Sequence, residues 1–543
     1  MRTRRVVSGI ASAVLAAAIT MVATGGEGAT GAAPPAKPPR IAGHFKQVVV
    51  IYQENHSFDN LYGAWGDVGG EHVDGTADAP AARTLQVAQD GSTYACLRQN
   101  DVNLTSPPLT SICSDPAHGT PASAFSNDPF TIDDHIAPTD TTCPKPPGAS
   151  APFGVPKGSG LEGGCTRDLV HRFYQEQYQL NGGQQNRYVT GSDAVGLTMG
   201  TYDTTKLPVY RYLHRKGAPK YVVADRFFQG AFGGSFLNHQ WLIAGRAPLD
   251  PTAGTPGHTQ YSKVDTNGMP TSYPQYTATG AVADNALTVA CPDGNPADYQ
   301  HACGNFAVNT VQPASPPARP GQVSIPLIDD DAYPNIGDRL SDAGISWNWY
   351  SGGWDDAVAG NPGALFQYHH QPFNYFADYA PGQPGRAHLQ DEDDFFDAAE
   401  AGTLPTVSFV KPYGAENEHP GYASAADGSS HLVRLLDAIL TGPQAGNTLV
   451  IVTYDEFGGQ WDHVPPPGQG DSPGAHDAFG PGTRIPALLL ARSFTRSGVD
   501  HTVLDTTSII ATLERSFGLA PVGIRDTAVN DLTSAIRIGR GKH

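Results

Sequence analysis

Apolar positions in this chain gather into four short continuous runs: Gln47 to Tyr52, Thr406 to Val410, Thr448 to Tyr454 and Ile485 to Leu490. Runs of this length, rich in Val, Leu and Ile and without alternation, predict strands covered on both faces, as in a parallel sheet. Two later stretches, His431 to Leu440 and Thr506 to Phe517, repeat apolar residues at the spacing of an amphipathic helix. Buried strands interleaved with helices place the chain in the α/β class, with a central, mostly parallel sheet flanked by helices.

Two segments break this rhythm. Residues 64–165 and 248–330 are rich in Gly, Pro, Asp, Thr and Asn and carry every cysteine of the chain. They read as loop-rich insertions over one end of the sheet, inside one catalytic domain spanning 45–520, with a C-terminal tail at 521–543. A separate C-terminal lobe is the alternative arrangement for 543 residues.

Composition changes this picture in one respect. With 39% hydrophobic and 16% charged residues, the chain can fill a core, so its 62 Gly and 46 Pro signify loops rather than disorder. The formal net charge of -19, with no basic stripe, excludes a nucleic-acid partner. An enzyme this acidic that acts on anions needs local positive charge, and a bound metal supplies it.

The N-terminus sets the compartment. Arg2, Arg4 and Arg5 precede an apolar stretch from Val6 to Val22, then small residues and a Pro-rich linker at 33–44. Residues 1–32 read as an export signal, of the general type or of the twin-arginine type, so the mature protein is expected to be secreted or in the cell envelope. The competing reading, a membrane anchor, needs roughly 20 apolar residues, and no stable span is expected once the signal is removed. Six cysteines, Cys96, Cys113, Cys143, Cys165, Cys291 and Cys303, agree with export. None has the tight spacing of a zinc ribbon, and pairing between sequence neighbours is expected.

Three polar clusters carry the chemistry. Glu54 and Asn55 come straight off the first predicted strand, where ligands gather in open α/β sheets. Asp455 and Glu456 leave the third strand in the same way, and adjacent carboxylates repel unless a cation or proton lies between them. Four such oxygen donors from two strand ends can enclose a metal. Ser235 follows Gly233-Gly234 and opens a helix in which Asn238 and His239 follow. It can be a plain N-cap, or a hydroxyl at a phosphate-binding helix start that a metal converts to a nucleophile. Two other serine patterns drop out. Leu237 stands where a G-x-S-x-G elbow needs its second glycine. Ser315-Pro-Pro-Ala-Arg319 matches a sulfatase pattern only within a Pro-rich loop. His171, His369, His370 and His419 lie in suggestive surroundings, but with 19 histidines composition does not choose among them.

Together these clusters resemble the bacterial phosphoesterase family of phospholipases C and the Francisella-type acid phosphatase, within the alkaline phosphatase-like superfamily. Glu54-Asn55-His56-Ser57-Phe58-Asp59 through Gly63 matches its opening motif, and Tyr454 to Pro467 matches its late one. Asn181-Gly182-Gly183, Thr198-Met199-Gly200 and Leu207-Pro208 resemble its connecting signatures. The resemblance implies an alkaline phosphatase-like fold and Ser235 as nucleophile, passing through a phosphoserine. Around the metal it implies Glu54, Asn55, Ser235, Asp455 and Glu456; His171, His369, His370 and His419 bind phosphate or donate protons. Asn238 and His239 are expected at the substrate. Asn238-His239 stands where phospholipases C have Asn-Arg, which is closer to the acid phosphatase branch. An all-oxygen shell suits Ca²⁺, Mg²⁺ or Mn²⁺, and nearby histidines suit Zn²⁺. A small phosphate ester or a phospholipid is the expected substrate. The rival from another class is a secreted phosphate-ester-binding protein without turnover, against which the intact Ser235 and acidic residues stand.

Overall fold

The computed structural model describes residues 40–98, 109–135, 167–252, parts of 263–294, and 303–541 without 323. The export signal and most of the Pro-rich linker lie outside these residues, as do Cys143 and Cys165.

In chain order the main elements are β1 (Gln47–Gln53), α1 (Phe58–Leu61), α2 (Phe173–Leu180), β2 (Tyr221–Ala224) and α3 (Ser235–Ala244). Then come β3 (Trp347–Ser351), β4 (Leu389–Asp391), α4 (Glu392–Ala401), β5 (Val407–Lys411) and α5 (Ala425–Thr441). The chain closes with β6 (Thr448–Tyr454), β7 (Ala487–Leu490), β8 (Gly498–Asp500), α6 (Thr507–Phe517) and α7 (Thr533–Gly539).

The strands form one eight-stranded sheet in the order β4-β3-β5-β1-β6-β7-β2-β8. All neighbours pair parallel except β7, which runs against both β6 and β2. The expected class, a mostly parallel α/β sheet, is the observed one. β1 and β6 lie at its centre, with Val48 to Tyr52 and Leu449 to Val452 buried on both faces, which is why they read as unbroken apolar runs. The strands that sequence patterning missed are β2, β3, β4 and β8. Three of them have only three or four residues, and β3 interrupts its aromatic residues with Asn348.

The described parts of the insertions are built from two-stranded ribbons of two- to four-residue strands. Cys96–Leu97 pairs with Phe125–Ser126 and Cys113–Asp115 with Thr120–Ser123; the disulfide Cys96–Cys113 ties these ribbons together. Cys291–Cys303 joins the other insertion. Both are pairs of sequence neighbours, and no described cysteine is free. The described residues, from 40 to 541, form one compact unit. The segment after 520, set apart in the sequence as a tail, is part of it: Val522, Leu532, Ala535 and Ile536 are buried, and α7 packs on β2 and β8. Among the described residues no helix is long and apolar enough to cross a membrane.

Candidate active site

Three neighbouring strands, β5, β1 and β6, deliver their ends to one place. β1 and β6 run parallel with Gln53 opposite Tyr454, so the next residues, Glu54 and Asp455, leave the sheet side by side. Asn55 and Glu456 follow one step later. Asn55 takes a left-handed backbone (φ 57°), which Asn tolerates better than most residues, and its N–H donates to Asp455 Oδ1 at 3.2 Å. The two loops press together at Gly458 (φ 62°), where a Cβ would run into the Asn55 carbonyl. Only glycine satisfies both the conformation and the space. β5 ends on Lys411, fully buried and 2.6 Å from Glu54 Oε1. The loop beyond it accepts the Glu54 N–H on the Asn417 carbonyl at 2.9 Å and carries His419.

Ser235 arrives from elsewhere, through a turn at Gly233 (φ 90°) where a Cβ would sit 2.6 Å from Phe173 N. The N-cap position belongs to Gly234, with no side-chain cap bond, and Ser235 is the first helical residue of α3. The plain capping role open to this serine in the sequence is therefore not its role. Its hydroxyl donates to Glu456 Oε1 at 3.2 Å and to Asn55 Oδ1 at 3.4 Å.

Two side chains that sequence reading missed hold this turn. Glu176 accepts the Gly233 N–H at 2.5 Å and the Gln229 amide at 3.0 Å. Its other oxygen accepts the Thr483 N–H and hydroxyl at 2.7 and 2.8 Å. Gln229 in turn accepts the Phe457 N–H at 3.0 Å, so one bracket fixes both the Ser235 turn and the loop of Glu456. Burial pushes Glu176 up to about 7, against the pull of these donors. Asn238 belongs to the same scaffold. It accepts the Ala231 N–H at 2.8 Å and donates to the Gly233 and Gly234 carbonyls at 3.2 Å. Fully buried and with its amide so engaged, it braces the turn that carries Ser235.

The histidines separate by geometry. His171 Nε2 lies 3.2 Å from Glu456 Oε1. His419 donates from Nδ1 to the Pro420 carbonyl at 2.8 Å, so its Nε2 accepts from Asn55 Nδ2 at 3.0 Å and leaves Asn55 Oδ1 facing Ser235. His370 Nε2 is 2.5 Å from Glu54 Oε1, and its ring stacks on His239 at 5.2 Å. His239 donates from Nδ1 to the Ser235 carbonyl at 2.7 Å. His369 makes ring contacts to His239 and His370 at 5.9 and 4.8 Å and no hydrogen bond among the described residues.

Residues 45–520 match the family model described as the Phosphoesterase family. The chain belongs to the Phosphoesterase family. It is accordingly a hydrolase of phosphoric ester bonds. It is similar to Phospholipase C A of Mycobacterium tuberculosis, at 25% identity over 72% of this chain and 68% of the relative. It is also similar to the non-hemolytic phospholipase C of Pseudomonas aeruginosa, at 29% identity over 25% of this chain and 24% of the relative. Among solved structures, it is similar to a protein in the alkaline phosphatase superfamily from Vibrio parahaemolyticus, with 14% identity and a TM-score of 0.22. That match covers 36% of this chain and half, 50%, of the other. A putative sulfatase from Bacteroides thetaiotaomicron matches with 12% identity and a TM-score of 0.27 over 64% and 71% of the two chains.

The electrostatics of this phosphoesterase site are those of an acidic centre short of cations. Burial, with Glu54 adding to it, pushes Asp455 up to about 7, and burial and Asp455 raise Glu456 well above the carboxylate range. Burial alone would raise Glu54 too, but His370 and Lys411 hold it well below its usual value. Burial keeps His239 and His369 well below theirs and brings His370 down to about 4. A neutral imidazole is the form that ligates metal. Glu54, His239 and His370 each offer a ligand atom, all within 4.8 Å of one another. Asp455 Oδ2 and His239 Nε2 are buried without a hydrogen-bond partner. The residues fit a divalent cation, and His239, expected at the substrate, sits among its candidate ligands.

The remaining residues of the two phosphoesterase end motifs do something else. Asp59 and Asp462 flank the buried Arg484 at 3.0 Å each, and His463 bridges Asp59 at 2.6 Å and Asp74 at 3.0 Å. Ser57 caps α1 and donates to the Trp461 carbonyl at 2.6 Å. These contacts clasp the first motif to the last. Lys411 could have been found by the rule that found Glu54, since it ends an apolar run. Glu176, Gln229 and Arg484 carry no such local signal.

Proposed function

We propose that the protein is an exported, metal-dependent phosphatase of small phosphate esters, with Ser235 as nucleophile. The observation that carries this is the Ser235 hydroxyl, relieved of any capping role and aimed at Glu456 and Asn55 beside three buried carboxylates. A divalent ion held by Glu54, Asp455, Glu456, His239 and His370, with Asn55 and Ser235 beside them, would polarise the phosphoryl oxygens and lower the hydroxyl pKa.

Ser235 Oγ, oriented by Asn55, attacks phosphorus in line as its proton passes to the Glu456 carboxylate, which also faces His171; the bond from phosphorus to the alcohol oxygen breaks, leaving a phosphoserine. His171 donates the proton that completes the alcohol. His419 is less suited to that role, because both its ring nitrogens are engaged within the protein. Water then attacks the phosphoserine, releasing phosphate and restoring the hydroxyl. The α3 N-terminus adds unpaired N–H groups to hold the transferring oxygens. Export is supported by the basic and apolar leader and by the disulfides.

The second reading is a phospholipase C, favoured by the similarity to the phospholipases C of Mycobacterium tuberculosis and Pseudomonas aeruginosa. Assaying the purified protein side by side on p-nitrophenyl phosphate and phosphatidylcholine separates the two. The monoester should be turned over, and a phosphate adduct should be trapped on Ser235 by mass spectrometry. Cleavage of phosphatidylcholine alone would overturn the phosphatase reading.

A further inference from the structure

A small cavity of about 110 Å³ opens beside the nucleophile's turn, lined by His171, Arg172, Gly234, Leu237, Asn309 and Thr310 among others. Two of these residues connect it to the chemistry. Gly234 immediately precedes Ser235, and His171, which borders the cavity, reaches Glu456 with its Nε2. Asn309 and Thr310 come from the second insertion, so the loop-rich segment walls the approach to Ser235.

Arg172 is the unusual member. It is half-buried, and among the described residues no hydrogen bond or ion pair engages its guanidinium. Asp193, which together with Arg172 acts on the Tyr273 hydroxyl, is bonded instead to Arg167 at 2.7 Å. A partly desolvated cation without a partner is costly, the more conspicuous in a chain of net charge -19. A planar guanidinium fork matches an oxyanion better than any other group.

Resting on the phosphatase reading, we propose that this cavity is the subsite for the alcohol part of the ester, and that Arg172 selects alcohols carrying a negatively charged oxyacid group. The size sets the scale of the ligand. At about 30 Å³ per liquid water, the cavity holds roughly four waters' volume, enough for a substituent of a few heavy atoms and too little for an acyl chain. Arg172 and the Thr310 hydroxyl supply the donors, while the phosphoryl group occupies the centre at Ser235.

The test compares kcat/KM of the metal-loaded protein on 3-phosphoglycerate and on glycerol 3-phosphate, which differ by a carboxylate in place of a hydroxymethyl group. The carboxylate ester should be preferred by about tenfold or more, the order of one charge-assisted hydrogen-bonded pair. Arg172→Met should bring the two within about twofold, and Arg172→Lys should retain part of the preference, with melting temperatures confirming that both variants fold. Equal use of the two esters by the parent protein, or a preference untouched in Arg172→Met, overturns the inference. Should Arg172→Met not fold, a full preference surviving in Arg172→Lys overturns it as well, because a point charge cannot replace the fork. If p-nitrophenyl phosphate is hydrolysed and neither glyceryl ester is, the subsite fails while the phosphatase reading stands; if no ester is hydrolysed, the phosphatase reading itself fails.

Discussion

Ser235 has a sharp test because its two possible roles are physically separate here. Gly234 occupies the cap, so Ser235→Ala should leave stability within about 1 kcal/mol of the parent. Turnover should fall by at least about a thousandfold, while phosphate or vanadate still binds the folded protein. Melting curves and steady-state rates on one sample decide this; retention of most of the turnover would remove Ser235 from the mechanism. Glu176 acts on the same atom at one remove. Glu176→Gln keeps the shape but sets an amide donor against the ring of donors from Gly233, Gln229 and Thr483. A displaced Ser235 should show as a kcat lowered by about ten- to a hundredfold with KM little changed. A variant that only lost stability, with kcat intact, would leave Glu176 a purely structural residue.

Among the elements, α5 and α4 are joined by a buried ion pair with a definite pH signature. His431 of α5 lies 2.8 Å from Glu392, the first residue of α4, and 3.2 Å from Glu416. Burial would lower its pKa, but the two carboxylates overcome this and lift it to about 9, above the value near 6.5 of an unfolded chain. The pair's stabilisation is thus complete below about pH 6.5 and lost as pH rises through 9, by at most about 3 kcal/mol. Denaturant unfolding at pH 6 and pH 9.5 measures it. The difference should shrink in His431→Gln; an unchanged difference would mean that other groups carry it. The strands show a related dependence on context. β1 and β6 are legible as runs because both their faces are covered, whereas β4 and β8 are three-residue strands at the sheet's edges that pattern alone does not reveal.

At the scale of the molecule, the site is a shortage of positive charge created by folding. Lys411 lies among Glu54, Asp455 and Glu456 in the core, and a divalent ion would complete the balance. Chelation should therefore abolish turnover and lower the melting temperature by roughly a few degrees, since an ion at a hundred times its Kd stabilises by about 2.7 kcal/mol. Re-addition of Ca²⁺, Mg²⁺, Mn²⁺ or Zn²⁺, one at a time, should restore both and identify the ion. Full activity after exhaustive chelation, verified by elemental analysis, would refute the metal's role.

The sequence by itself determined the strand-end placement of Glu54, Asn55, Asp455 and Glu456, because a buried parallel strand must be an apolar run and the polar residues that follow it must emerge at its carboxyl end. It also determined the turn before Ser235, since two successive glycines leave few other uses. Tertiary structure alone decided which groups face them. Lys411, His239 and His370 reach Glu54 or Asp455 through the order of the strands and the packing of α3, and 180 residues separate Asn55 from Ser235 along the chain. Likewise Glu176, Gln229 and Arg484 are ordinary polar residues in one dimension. Their roles come from the desolvation and the long-range hydrogen bonds that exist only once the sheet and its insertions have closed around them.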